Sequence, residues 1–92
     1  MILDCHAHIF PEHVVDRAME ALSLRYQAQP VARATPEGLV RIMDRDGVDR
    51  AIAVAVATRP AQVPSINDWL LHLNQPRLIP FGALHPHYED VP

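Results

Sequence analysis

The sequence predicts an α/β domain in which three parallel strands alternate with helices. Two observations carry this prediction. Short apolar runs suited to strands, at Met1–Pro11, Arg50–Ala57 and Leu78–Leu84, are separated by stretches whose apolar residues recur at 3.6-residue spacing. Polar residues gather where each run ends: His6 and His8, then Thr58 and Arg59, then His85 and His87. Strands alternating with helices form parallel βαβ units with right-handed crossovers, and the carboxyl ends of such strands face the ligand.

The first strand, MILDCHAHIFP, holds Asp4, His6 and His8 at alternate positions. Alternation would turn these three to one face and Leu3, Cys5, Ala7 and Ile9 to the other. The imidazoles then lie one pleat repeat apart, roughly 6.5–7 Å between Cα atoms, close enough to converge on one metal ion. Phe10-Pro11 ends the strand, because Pro11 has no N–H for a ladder. The competing reading is a pair of ordinary hydrogen-bonded core histidines. Burying three polar groups on one strand face costs several kcal/mol unless each finds a partner, and a divalent cation would serve them together. Cys5, on the opposite face, is expected to pack rather than to bind.

Glu12 to Gln27 reads as a helix, with Val14, Val15, Ala18, Met19, Leu22 and Tyr26 near one stripe. Glu12 and Arg25 suit its dipole. Gln29-Pro30 should stop it, and Ala28–Ala34 should be a linker. Thr35-Pro36-Glu37 starts the next helix with a cap, a first-position proline and an acid; Leu39, Val40, Ile42 and Met43 form its apolar side. Gly47 suits a left-handed C-cap, with Val48 as its apolar contact.

RAIAVAVA, residues 50–57, is the second strand. It is apolar after Arg50 and therefore expected to be covered on both faces. Alanines occupy one face, and Ile52, Val54 and Val56 the other. Ser65 should cap a third helix running to Leu73, with Ile66, Trp69, Leu70 and Leu73 buried. The third strand falls within Leu78–Leu84. Pro80 argues against pairing there, which places the ladder from Phe81 to His85-Pro86. His87 to Pro92 reads as loop.

The 92 residues suffice for one small domain; 49% are hydrophobic and 21% charged, which fits a folded chain. A net charge of −3 without a basic cluster gives no electrostatic case for nucleic acid or an anionic membrane. A single cysteine excludes an internal disulfide and fits a reducing compartment. No run approaches the ~20 apolar residues of a membrane span, and the first residues lack a secretory leader. A cytoplasmic location is the expectation.

LDCHAHIFPE (3–12), MDRDGVDRAIAVAV (43–56) and RLIPFGALHP (77–86) together carry a resemblance. The chain looks like the N-terminal part of a metal-dependent amidohydrolase-superfamily (β/α)8 barrel. It is most similar to the amidohydrolase-related branch that includes aminocarboxymuconate-semialdehyde decarboxylase-like enzymes. The resemblance implies that His6 and His8 are metal ligands and that Asp4 supports them. The implied cofactor is a divalent metal, Zn first, with Mn, Fe, Co or Ni also compatible with imidazole. The implied reaction is attack of activated water on a small-molecule substrate, or a related decarboxylation.

Arg59 at the mouth is a candidate for binding a substrate carboxylate, against the alternative of a solvated surface arginine. His85 either lines the pocket or hydrogen-bonds its loop. A whole barrel of this kind takes about 250 residues and eight strands. The family's other metal ligands and its proton-handling aspartate belong to strands beyond these three, and nothing marks Glu89 or Asp90 as substitutes. Alone, the chain is expected to be inactive. The alternative reading is therefore a non-catalytic piece whose open strand edges need self-association or a complementary chain.

Overall fold

In a computed structural model, which describes residues 1–27 and 33–89, the chain forms an open parallel sheet with helices packed on one face. The order is β1 (Leu3–His8), α1 (Val15–Tyr26), α2 (Pro36–Asp46), β2 (Arg50–Val54), α3 (Gln62–Leu71) and β3 (Leu78–Phe81). The strands lie in the order β1-β2-β3, and both pairings are parallel. This is the α/β arrangement expected from the alternation of patterns. The expected stop at Gln29-Pro30, most of the linker, and Asp90 lie outside the described residues. No helix among the described residues is long and apolar enough to cross a membrane.

The alternation in β2 decides where the core lies. Ala51 and Ala53 are fully buried and join Ala7, Ile9, Met43, Leu70 and Leu78 in the main cluster, with Leu39, Val40, Ile66, Trp69 and Leu73 packed around it. Small side chains on this face let α2 and α3 approach the sheet closely. The branched face behaves otherwise. Ile52 and Val54 are only half-buried and Val56 is exposed, as is Phe81 opposite Val54 on β3. The expectation that β2 is covered on both faces is thus corrected: among the described residues the helices cover one.

α2 has the ends its sequence predicts. Thr35 Oγ1 accepts from the Gly38 N–H at 3.1 Å, Pro36 follows the cap, and Gly47 turns left-handed (φ 73°) with its N–H on the Met43 carbonyl. α1 is held less firmly. Val15 is its buried residue, whereas Leu22 and Tyr26 of the expected stripe are exposed. Arg33 pins its start by bonding both Glu12 and Asp16, and these two carboxylates raise the arginine pKa above its ordinary value.

Several boundaries differ from expectation: α1 begins at Val15 rather than Glu12, β2 ends at Val54 rather than Ala57, and α3 ends at Leu71 rather than Leu73. α3 begins at Gln62 rather than at a Ser65 cap, and Ser65 Oγ instead donates to the Gln62 carbonyl at 3.1 Å. β3 begins at Leu78 and includes Pro80, opposite Ala53. The Ala51 N–H bonds the Arg77 carbonyl at 3.0 Å, which sets the phase of the ladder. Alternate residues Arg77, Ile79 and Phe81 then face β2, and Pro80 turns its missing donor to the open edge, where proline is tolerated.

The amino ends of the strands are locked by Arg77. Its guanidinium bonds the Asp44 carboxylate and the carbonyls of Val48 (2.8 Å) and Asp49 (3.1 Å). One side chain thus ties β3 to the end of α2 and the entry to β2.

A Cβ placed on Gly38 would lie 2.0 Å from the Arg33 carbonyl oxygen and 3.2 Å from Thr35 Oγ1, whereas one on Gly82 meets only Asn67, at 3.5 Å. Gly38→Ala should therefore destabilise the fold by about 1–3 kcal/mol, as overpacking does. Gly82→Ala should change stability far less. Urea midpoints of the two variants against wild type test this; equal midpoints would refute the close approach.

Candidate metal centre

β1 carries the predicted histidines at its carboxyl end, and the structure brings them together. His6 Nε2 and His8 Nε2 are 3.1 Å apart, and the ring centroids are separated by 4.8 Å. His8 lies opposite Val54, and Ala7, between the histidines, lies opposite buried Ala53. The imidazoles accordingly project from the face that the helices leave open, where both residues are exposed.

The separation can be compared with what an ion requires. With Zn–N bonds of 2.0–2.1 Å, two nitrogens lie about 2.9 Å apart at a right angle and about 3.4 Å apart at the tetrahedral angle. The observed 3.1 Å falls between these values. The same distance suits an N–H···N bond from one neutral ring to the other. Both arrangements need the Nε2 atoms to converge, and an ion would take the place of the shared proton. The pair therefore fits two coordination positions of a divalent cation. Among the described residues no group of three or more His, Cys, Asp or Glu side chains is placed to hold one.

Asp4 departs from the strict alternation. β1 advances from Asp4 to Ala7 while β2 advances only from Ala51 to Ala53, so the strand carries an irregularity of one residue. Its effect is to pair Asp4 with helix-side Ala51 while His8 pairs with open-side Val54. Residues on the two sides of a bulge need not share a face. The Asp4 carboxylate is turned to the chain itself, where Oδ1 accepts from the His6 N–H at 3.0 Å. It supports His6 through the backbone rather than through the ring. Aspartate readily bonds the backbone two residues on, which is the signal that alternation alone overlooks. Cys5, expected to pack, is exposed beside this irregularity; helix cover begins further along β1, at Ala7.

The other two strand ends supply shaped loops. Gln62 Oε1 accepts from the Thr58 N–H at 2.8 Å, from Thr58 Oγ1 at 3.0 Å and from the Arg59 N–H at 3.3 Å. This clamp, which the sequence did not reveal, fixes the backbone under Arg59. The Arg59 side chain is exposed. After β3, the Asn67 amide grips Ala83 at both its N–H (2.7 Å) and its carbonyl (2.9 Å). His85 follows, and its Nδ1 accepts from the His87 N–H at 3.2 Å. That bond favours the loop-holding role for His85 and leaves its Nε2 for other partners. A concavity of about 740 Å³ lies elsewhere: Arg33, Glu37, Arg41 and Trp69 are on its wall, and neither histidine of the pair is.

Comparison with family models, with curated proteins and with solved structures finds no match to this chain.

Partial burial and then the neighbouring His6 hold the His8 imidazolium below the ordinary imidazole pKa. The unfolded chain then binds this proton more readily than the folded one. The neutral ring's contribution to stability is present above the ordinary value and is lost as pH falls toward the folded value. In an NMR titration His8 should titrate below 6.5, the ordinary value. In His6→Ala it should move part of the way back, because burial, the larger cause, remains. A His8 resonance titrating at or above the ordinary value would contradict the arrangement.

Proposed function

We propose that this chain forms the two-histidine corner of an amidohydrolase-type metal site, at the mouth of what would be a (β/α)8 barrel. The observation that carries the reading is the convergence of His6 and His8 Nε2 to 3.1 Å, at the carboxyl end of the first strand of a parallel sheet. Ligand sites of parallel α/β sheets sit at that end of the strands. A divalent ion of the zinc type supplies Lewis acidity there, polarising a small-molecule substrate and lowering the pKa of water.

The chain's own residues would do the following. His6 and His8 bind through Nε2 as neutral rings. Asp4 keeps the backbone at His6 in place through its 3.0 Å bond. Arg59, on the loop clamped by Gln62, presents a guanidinium suited to a substrate carboxylate. Val54, Val56 and Phe81 give the open face an apolar floor that limits water around a bound molecule. Asp4 Oδ1 accepts from the backbone, and the resemblance assigns the proton-accepting carboxylate to a later strand. Hydrolysis is the first assignment, and decarboxylation the related one.

A second reading is favoured by a different observation. Among the described residues the sheet has two unpaired edges and one uncovered apolar face, which native sheets normally cover. The chain by itself is then a non-catalytic piece that a partner must complete.

Metal uptake tests the site. Zinc titrated calorimetrically into the purified chain should bind, and His6→Ala and His8→Ala should each weaken binding by at least tenfold, while exposed His72→Ala leaves it unchanged. Equal affinity in all four proteins would sink the assignment.

A further inference from the structure

We propose that a second copy of this chain completes the His6/His8 pair, so that one zinc ion held by four imidazoles bridges a symmetric dimer. The inference rests on the reading that His6 and His8 hold a divalent ion, takes that ion as structural in keeping with the second, non-catalytic reading, and names a second copy as the source of its further ligands. Three observations lead to it.

The first is a deficit. The chain offers two convergent nitrogens 3.1 Å apart, and no larger group of candidate ligands exists among the described residues. Structural zinc takes four protein ligands in a tetrahedron. Two pairs related by a two-fold axis through the ion supply four, because an isologous contact presents the same patch from both copies.

The second is position. The histidines stand on an edge strand, on the side of the sheet that α2 and α3 do not cover. No helix among the described residues packs over them, and a second copy can approach face to face. Val54 opposite His8, with Val56 and Phe81 nearby on the same side, would meet their counterparts. Stacked sheets lie ~10 Å apart, a gap that histidines reaching inward from both sides can span.

The third is area. Strands of 6, 5 and 4 residues make up the open face. At ~3.3 Å per residue and ~4.8 Å between strands, that face covers roughly 240 Å². A stable interface buries about 800 Å² on each partner. Apolar contact over this patch therefore falls short of holding two copies, each with a net charge of −3. The dication supplies the remainder, which makes the association metal-dependent.

The experiment is light scattering on the full chain after gel filtration, with zinc analysis of the eluted peak and far-UV circular dichroism of every sample. With zinc the mass should double from 10.3 kDa, at half a zinc per chain. EDTA should return it to the monomer. His6→Ala and His8→Ala should remain monomeric, and His72→Ala should dimerise as wild type does. A dimer that persists in EDTA would overturn the proposal. So would a monomer holding one zinc per chain, although that result would leave His6 and His8 standing as ligands. A folded chain that takes up no zinc would overturn both this inference and the metal site beneath it. The chelator arm uses wild-type protein alone, so the test does not depend on either variant folding.

Discussion

The one-sided packing of β2 is the constraint on which the rest of the structure depends. Ala51 and Ala53 have no accessible surface, because their small side chains let α2 and α3 settle directly on the sheet. The branched side chains of the same strand point the other way, and among the described residues nothing packs on them in the way the helices pack on the alanines. A five-residue strand with its bulk on the uncovered side gains less from that bulk than full burial would give, since Ile52 and Val54 are only half-buried. The histidines inherit the same geometry: Ala7, between them, is buried against the helices, so His6 and His8 must face outward. Converging imidazoles and an exposed apolar floor are thus consequences of a single alternation.

Around this constraint, polar side chains fix the two ends of the sheet differently. At the amino end Arg77 binds α2, β2 and β3 together through carbonyls and the Asp44 carboxylate. At the carboxyl end Gln62 and Asn67, both on α3, hold the loops that follow β2 and β3. Each amide satisfies backbone groups that the short strands leave without ladder partners. α3 therefore does more than cover the sheet. It sets where Arg59 and His85 begin, and so shapes the rim on which β1 places its histidines.

Local signals were legible in the sequence where one residue type does one job. Thr35, Pro36 and Gly47 marked α2 at both ends, and the Asp-x-His-x-His spacing located the paired rings. Misreadings arose where two demands meet at one residue. Strict alternation assumes an unbroken strand, and the irregularity between Asp4 and Ala7 sets Asp4 against Ala51 and leaves Cys5 exposed. Pro80 looked incompatible with pairing, but the phase of the ladder directs its nitrogen away from β2. Ser65 had the chemistry of a cap, yet Gln62 reaches back to the preceding loop and starts the helix three residues earlier. Gly38 carried no signal at all, since its need for a missing Cβ depends on Arg33, which folds against it from outside the helix. Of the candidate site, the identity of the pair was readable; the side of the sheet left open was not, because an all-apolar strand is silent about which face lacks cover.

An ion bound at this pair must compete with the bond that the rings make to each other. When no ion is bound, one Nε2 would donate and the other accept, which satisfies one nitrogen of each ring at 3.1 Å. A cation requires the donor ring to carry that proton on Nδ1 instead, and must return more than the hydrogen bond is worth, roughly 0.5–1.5 kcal/mol net. It must also be held more strongly than by water. Two nitrogens alone leave at least half of a four-coordinate shell to solvent, so the gain per site is small and the ion is labile. Two further ligands change the balance, because they come to an ion already positioned by the first pair. The uncovered sheet face makes the same demand from the apolar side. Metal shell and hydrophobic face are both incomplete at one place, and whatever supplies the missing ligands must also cover the floor beside them.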